Sequence, residues 1–149
     1  MRELNIEFQE QYKHLDKLCK EMYSSNEGVS LYLQDMERTP YSERRAVFDW
    51  DIVYKKLKHA RWMRNQLAHE IDIDTSFCEQ DDIDWVKAFY KKILSGTDPL
   101  ACAYRARQET TAKRNSYKYE VAPTVNIIEE KPRKSFWGSL VSKIKSWFS

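Results

Sequence analysis

Apolar side chains recur every three or four residues through most of the first hundred positions, and this spacing restricts the fold more than any other feature. A spacing of three to four residues matches one turn of an α-helix and collects the apolar side chains on one face. Strict alternation of apolar and polar residues, the pattern of a half-buried strand, is scarce. Only three glycines and four prolines interrupt a chain of 149 residues. The sequence therefore predicts an all-α protein.

The repeat divides the body of the chain into helices. A first helix is predicted over 3–24, where the apolar face consists of Leu4, Phe8, Tyr12, Leu15, Leu18, Cys19 and Met22. A second helix is predicted at about 29–37, a long third helix at about 43–69, and a fourth from Asp81 or Asp82 to Gly96. A short helical segment with Leu100, Cys102 and Tyr104 closes the body.

Composition and charge divide the chain into three regions. Residues 1–104 form the predicted helical bundle, with 15 Lys and Arg against 19 Asp and Glu. Residues 105–134 lose the apolar repeat and are predicted to be a flexible basic linker. Residues 135–149 regain the repeat and are predicted to be a separate C-terminal amphipathic helix. Residues 105–149 hold 10 basic and 4 acidic side chains, which favours an anionic partner or the acidic body itself.

The C-terminal segment has the clearest amphipathic pattern in the chain. Its apolar side chains fall within about 140° of a helical wheel, and its Ser, Lys and Gly residues lie on the other side. Three interpretations stay open: a helix lying on a membrane surface, a helix bound in the groove of another protein, or a helix docked on the chain's own body or across a dimer. The residues that would make these contacts are Phe136, Trp137, Leu140, Val141, Ile144, Trp147 and Phe148.

Several classes of protein and site are not expected from the sequence. The N-terminus lacks the apolar stretch of a signal peptide, and no apolar run approaches the roughly 20 residues of a membrane span. Three cysteines without a CxxC pair favour reduced, buried thiols in a cytoplasmic protein. The acidic run after residue 70 lacks EF-hand spacing, and no zinc-ligand or phosphate-loop motif occurs. We therefore expect no metal and no cofactor, and a cytoplasmic location that is peripheral at a membrane if the C-terminal helix binds lipid.

The residues with the clearest chemistry lie at the end of the predicted third helix, in the string Arg64-Asn65-Gln66-Leu67-Ala68-His69. A guanidinium group offers a planar fork of donors to a phosphate. An imidazole transfers protons near neutral pH. On a helical wheel Arg61 and Arg64 continue the stripe of Trp50, Tyr54 and Leu57, so two arginines lie where packing is expected. This combination is suited to the cleavage or binding of a phosphodiester.

The string resembles the Arg-x4-His signature of the HEPN superfamily (higher eukaryote and prokaryote nucleotide-binding domains). The resemblance implies an up-and-down helical bundle that dimerises, and a metal-independent ribonuclease whose two motifs share a cleft. Arg64 would bind the scissile phosphate, Asn65 would orient it or the histidine, and His69 would act as general base or acid toward the ribose 2′-hydroxyl. Some members carry a tyrosine two residues after the histidine, but Ile71 stands here, so modification of that tyrosine is not expected.

Helix geometry restricts how the motif can work. Arg64 and His69 lie about 140° apart on an ideal helix. The arginine must therefore reach round, the helix must fray near the histidine, or a partner motif must complete the site. Lys58 and Arg61 are further candidates for RNA contact. Trp62 is a candidate for base stacking, although Trp50, Trp62 and Trp85 are all expected in the core.

The leading hypothesis is an endoribonuclease with RNA as substrate and a second copy of the chain as partner. One alternative is a non-catalytic helical module that binds a nucleotide, RNA or a protein in the same cleft. Another is an adaptor targeted to a membrane surface or a protein groove. A purely structural interpretation of the motif also exists, in which Arg64 and His69 pair with acidic groups such as Asp49, Asp51 or Glu70.

Overall fold

The computed structural model describes residues 2–69 and 78–121, and every regular element in these ranges is a helix. Helix α1 packs against α5 and also contacts α2 and α4, while α2 packs on α4. The prediction of an all-α bundle is confirmed. None of the helices in the two described ranges is long and apolar enough to cross a membrane. The helices are α1 (Arg2–Tyr23), α2 (Val29–Arg38), α3 (Tyr41–Arg44), α4 (Trp50–His69), α5 (Gln80–Ser95) and α6 (Pro99–Val121).

The core forms where the apolar stripes of α1, α2, α4 and α5 meet. The ring of Phe89 on α5 lies between two aromatic neighbours: Tyr32 of α2 at 5.4 Å between ring centroids, edge to face, and Trp85 at 5.1 Å, stacked. Such geometries add to the free energy gained by burying the rings. The largest fully buried side chains also include Phe8, Leu15, Met22, Leu33, Met36, Leu57, Met63, Ile83 and Ile93.

The third helix does not begin where the sequence pattern predicts. Instead of one helix over 43–69, the chain forms the short α3, turns, and begins α4 at Trp50. The guanidinium of Arg44 donates hydrogen bonds to the backbone carbonyls of Glu37 and Thr39 at the end of α2. Because these carbonyls have no partner within a helix, the two bonds hold α3 against the end of α2. The prediction is correct for the second part of this stretch and wrong for its start.

Helix α6 is much longer than the short segment predicted after Pro99. It continues to Val121, so the stretch from Arg105 to Val121 is helical rather than the beginning of a linker. Its side chains from 108 to 117 are almost all exposed, which explains why no apolar repeat reveals the helix. Residues with high helix propensity support this part of the helix. Arg107 Nε also lies 3.7 Å from the Glu43 carboxylate of α3, an ion pair that joins α6 to α3. Residues 122–134 and the predicted C-terminal helix lie outside the described residues.

Helix α5 ends at its predicted residue but begins slightly earlier than predicted. Gly96 ends α5 in the left-handed conformation, with φ of 69°, as predicted. At the start of α5 the N-cap is Glu79 rather than Asp81 or Asp82. The Asp82 carboxylate accepts a hydrogen bond from the Glu79 backbone N–H at 3.0 Å. Asp82 thus supports the helix start from its first turn.

The turn between α1 and α2 depends on a glycine. Gly28 is buried, and the Asp16 carboxylate passes close to it to accept a hydrogen bond from the Val29 backbone N–H at 3.0 Å. A Cβ atom at position 28 would collide with the backbone and the carboxylate of Asp16.

We expect Gly28→Ala to lower the free energy of unfolding by about 1–3 kcal/mol, the usual cost of overpacking a tight site. Gly96→Ala is the matched comparison, because open space surrounds Gly96 and only its positive φ is strained. That variant should lose about 1–2 kcal/mol, the cost of a left-handed residue with a Cβ. Urea unfolding of both variants and the wild type measures the difference. Equal stability of wild type and Gly28→Ala would contradict the predicted collision.

A buried carboxylate anchors the start of α6. The Tyr32 hydroxyl donates a hydrogen bond to Asp98 Oδ2 at 2.6 Å, and the Ala101 backbone N–H donates to the same oxygen at 3.4 Å. Asp98 is fully buried, and its Oδ1 has no hydrogen-bond partner among the described residues. Burial raises the pKa of Asp98 above that of an ordinary aspartate, although the hydrogen bond from Tyr32 opposes the rise.

The raised pKa of Asp98 makes stability depend on pH. The folded protein binds this proton more tightly than the unfolded chain, whose aspartates titrate at about 3.9. The contribution of Asp98 to stability is therefore complete below that value and falls as pH rises through the raised pKa. We expect Asp98→Asn, which keeps an oxygen acceptor for Tyr32, to flatten the fall in stability as pH rises above about 4. Urea titrations across this range test it; an unchanged slope would exclude Asp98 as its source.

Candidate functional site

One exposed stripe of α4 carries polar and aromatic side chains in register. Lys58, Trp62, Asn65 and His69 fall within about 60° on a helical wheel. All four are exposed, and half of the Trp62 surface is accessible. The stripe leads directly to the last residue of the helix, His69.

The guanidinium of Arg64 reaches toward this stripe. Arg64 Nη1 donates a hydrogen bond to Asn65 Oδ1 at 3.2 Å. Asn65 and His69 are neighbours on the stripe, since residues four apart lie one turn above each other. The sequence left three ways in which Arg64 and His69 could act together although they lie about 140° apart on the helix. The hydrogen bond to Asn65 is consistent with the first, in which the arginine side chain bends round the helix toward the histidine.

Arg64 also lines a cleft between α1 and α4. The cleft has a volume of about 380 Å³ and includes Tyr12, Asp16 and Lys20 from α1. Burial raises the pKa of the Tyr12 phenol well above its ordinary value, and the nearby positive charge of Arg64 acts against the rise. Arg64 therefore stands between a cleft and the exposed stripe, with its guanidinium accessible to a ligand.

The purely structural interpretation of the motif finds no support in the described part of the chain. Asp49 forms its ion pair with Lys92 at 3.2 Å, not with the motif. Within residues 2–69 and 78–121, neither Arg64 nor His69 forms a salt bridge. Asp51 forms no ion pair with another described residue, and Glu70 lies outside the described residues. The exposed position of both side chains leaves them available for chemistry.

The remaining predicted RNA contacts differ in their surroundings. Arg61 is partly buried, and its Nη1 lies 3.5 Å from the Ser30 hydroxyl of α2. The Lys58 ammonium lies 5.3 Å from the centre of the Tyr54 ring, a cation–π contact that leaves it exposed. Both cations precede the motif on α4 and lie about 60° apart on a helical wheel, but only Lys58 is exposed.

The tryptophans do not all lie in the core as expected. Trp50 is buried and Trp85 is partly buried against the core, but Trp62 is half exposed. The Trp62 ring stacks on His59, with 5.8 Å between centroids and 18° between planes. The expectation that Trp62 is a core residue is wrong, because its position on the wheel faces away from the apolar stripe of α4.

The thiols are consistent with a reduced, largely buried set. Cys19 and Cys78 are buried, Cys102 is partly buried, and none of the three forms a disulfide. Burial raises the pKa of the Cys78 thiol to about 11, and it raises that of Cys19 as well. Since thiolates are the reactive form, these two cysteines are structural rather than nucleophilic.

Sequence reasoning missed the stacked pair of His59 and Trp62 and a cavity of about 260 Å³ beside it, between α4 and α5. The three-residue spacing of the two rings is a signal that could have revealed the stack. No signal in the sequence joins α4 to the part of α5 that lines the cavity. The predicted contact residues of the C-terminal helix, 135–149, lie outside the described residues.

Comparison with known proteins gives one match. A family model described as "Family of unknown function (DUF6548)" matches residues 6–140. No curated protein and no solved structure matches the chain. The match extends from the first helix of the bundle into the region after α6.

Proposed function

Because the chain belongs to the DUF6548 family, whose function is unknown, we propose a function from its own residues: a metal-independent endoribonuclease of the HEPN type. RNA is the substrate, and the exposed surface of α4 is the RNA interface. Arg64, Asn65 and His69 perform the reaction, and Lys58, Arg61 and Trp62 hold the strand. The enzyme acts in the cytoplasm as a homodimer.

The observation that carries the proposal is the hydrogen bond from Arg64 to Asn65. It draws a phosphate-binding guanidinium onto the side of α4 where His69 is exposed. A phosphate on that side would meet a fork of N–H donors and an imidazole within the last two turns of one helix. Cleavage of a phosphodiester by an internal nucleophile needs at least a cation and a proton-transferring group at the same place.

The reaction follows from these two groups. His69 accepts the proton of a ribose 2′-hydroxyl, and O2′ attacks the adjacent phosphorus while the bond from phosphorus to O5′ breaks. The products are a 2′,3′-cyclic phosphate and a 5′-hydroxyl, with the leaving oxygen protonated by water or by the histidine of a second copy. Arg64 stabilises the extra negative charge of the transition state. Because the nucleophile belongs to the RNA, no activated water is required.

Charge on α4 supports an RNA interface. The helix carries five Lys and Arg residues and one acidic residue, Asp51. Cations along one helix attract the phosphate backbone and raise its local concentration. Trp62 adds an exposed ring next to Asn65, suited to stacking on an unpaired base.

The test is an RNA-cleavage assay in excess EDTA with the purified full-length chain. The proposal expects cleavage that EDTA does not inhibit, and fragments that end in a cyclic phosphate. Light scattering of the same sample measures the expected homodimer. Binding of RNA without cleavage would instead support a non-catalytic binding module. Absence of both binding and cleavage would support the adaptor.

The C-terminal segment completes the proposal. We assign residues 135–149 to localisation at a membrane surface or in a protein groove, on the basis of their amphipathic pattern. Flotation with anionic liposomes, comparing the full chain with a chain that ends at Val121, separates the two. Loss of flotation on truncation supports the membrane surface, whereas equal partitioning of the two chains removes the membrane interpretation and leaves a protein groove or docking on the bundle.

A further inference from the structure

A second cavity opens on the other side of α4 from Arg64. It lies between α4 and α5, has a volume of about 260 Å³, and includes Ala60, Met63 and Trp85 among its lining residues. Ala60 and Met63 are buried, and Trp85 is partly buried. These residues give the cavity an apolar floor. Its volume of about 260 Å³ falls below the range of about 300–1,000 Å³ typical of sites for drug-sized molecules, so it suits a single small group.

The rim of this cavity is charged. Lys55 and Lys56 line it from α4, and Asp82 lines it from the start of α5. Neither lysine forms an ion pair with any residue in the described ranges. The hydrogen bond from the Glu79 backbone N–H holds the Asp82 carboxylate in place at the beginning of α5. An occupant would therefore meet two available cations and one fixed carboxylate above an apolar floor.

His59 connects the cavity to the motif. Its imidazole lines the cavity, and its ring stacks on Trp62. Trp62 is three residues from Asn65, which accepts the hydrogen bond from Arg64. A helix rises 1.5 Å per residue, so the lining residues of α4, from Met63 back to Lys55, lie about 2 to about 14 Å along the axis from Arg64. A strand held at the motif can therefore reach the cavity within a few nucleotides.

We propose that this cavity, named here the base cavity, binds one unpaired nucleobase of the RNA strand whose phosphate lies at Arg64. The inference rests on the proposed function for its substrate and names that substrate as single-stranded RNA. Trp85 and Met63 form the surface beneath the base, and the Asp82 carboxylate accepts a hydrogen bond from an N–H of its edge. Lys55 and Lys56 contact the flanking phosphates, and Trp62 stacks on the next base.

The chemistry of the cavity favours this occupant. An apolar floor with an aromatic ring suits the face of a base, and paired cations at the rim suit the phosphates on either side of it. A base can enter only after leaving its own stack, so double-stranded RNA does not fit. A free nucleotide shares this chemistry, but the continuity from the base cavity through His59 and Trp62 to the motif favours a strand.

The test measures affinity, so that it does not depend on catalysis. Fluorescence anisotropy with a short 2′-O-methyl RNA, which lacks the attacking hydroxyl, gives Kd for the full chain. An abasic site is then moved through every position of this RNA. We expect one position to lose affinity by about tenfold, within the range measured for single stacked bases. The loss should shrink to less than threefold in Lys56→Ala and His59→Ala, because these variants have already lost part of the site.

Lys91→Ala is the matched control, because Lys91 is exposed on the face of α5 away from the core, and it should reproduce the wild-type scan. Trp85→Leu tests the floor of the base cavity directly. If Trp85→Leu does not fold, the comparison with Lys56→Ala still tests the proposal. A flat abasic scan in a wild type that binds RNA overturns the base cavity but leaves the proposed nuclease intact. If the scan is flat and the chain binds adenosine monophosphate in a way that depends on Lys56, the cavity is a site for a free nucleotide. That result also overturns the inference. A position-specific loss that shrinks in Lys56→Ala and His59→Ala, together with no cleavage of unmodified RNA in EDTA, supports the base cavity and removes the nuclease.

Discussion

Replacing His69 with alanine is expected to lower the rate of RNA cleavage by about 10²–10⁴-fold, the usual contribution of a general acid or base. Arg64→Ala should cost a comparable factor, since the guanidinium is the nearest group able to stabilise charge on the phosphorane. Neither side chain is buried, so both variants should keep the stability of the wild type. The measurement is the single-turnover rate of cleavage in EDTA, with urea unfolding as the check on folding.

Two further substitutions make this test specific. His14→Ala removes an equally exposed histidine from α1 and should leave the rate unchanged. Arg64→Lys keeps the charge but loses the planar fork, so its rate should lie between wild type and Arg64→Ala. Full activity in either His69→Ala or Arg64→Ala would remove that residue from the reaction and, with it, the proposed mechanism.

Phe89→Ala is expected to destabilise the bundle by about 3–5 kcal/mol, the range for removing a phenyl ring from a core. Phe89 is 2% exposed, and its ring contacts Tyr32 of α2 and Trp85 of α5. Truncation would leave a void between these rings and remove both aromatic contacts. The free energy of unfolding of such domains is only about 5–15 kcal/mol, so this substitution removes a large fraction of it.

Phe48→Ala is the matched control for that prediction. Phe48, in the turn before α4, is 100% exposed, so the same substitution there should change stability by less than about 0.5 kcal/mol. Urea unfolding followed by circular dichroism measures both variants. Similar losses at positions 48 and 89 would contradict the burial pattern of the bundle.

The parts of the fold that the sequence predicts well are those with an apolar stripe. Helices α1, α2 and α5 follow the repeat to within one or two residues, and Gly96 ends α5 because only glycine adopts that conformation without strain. The break before Trp50 comes with hydrogen bonds from Arg44 to carbonyls at the end of α2, five and seven residues earlier, and apolar spacing carries no signal for such polar contacts. Helix α6 buries little over residues 108–117, so periodicity gives no signal there.

In the candidate site, too, only the features that follow from spacing along one helix are predictable from the sequence. A helical wheel places Lys58, Trp62, Asn65 and His69 on one stripe without any coordinates, because they share one helix. The bond from Arg64 to Asn65 depends on a side-chain rotamer, and the base cavity depends on how α5 packs beside α4. Neither can be obtained from spacing within a single helix.

The length of α6 sets where the rest of the chain starts. Fourteen residues separate Arg107, at its contact with α3, from Val121, and this distance corresponds to about 20 Å along the helix axis. As long as its backbone hydrogen bonds are intact, this helix acts as a spacer of fixed length. Anything attached after Val121 therefore starts about 20 Å from the contact between α6 and α3.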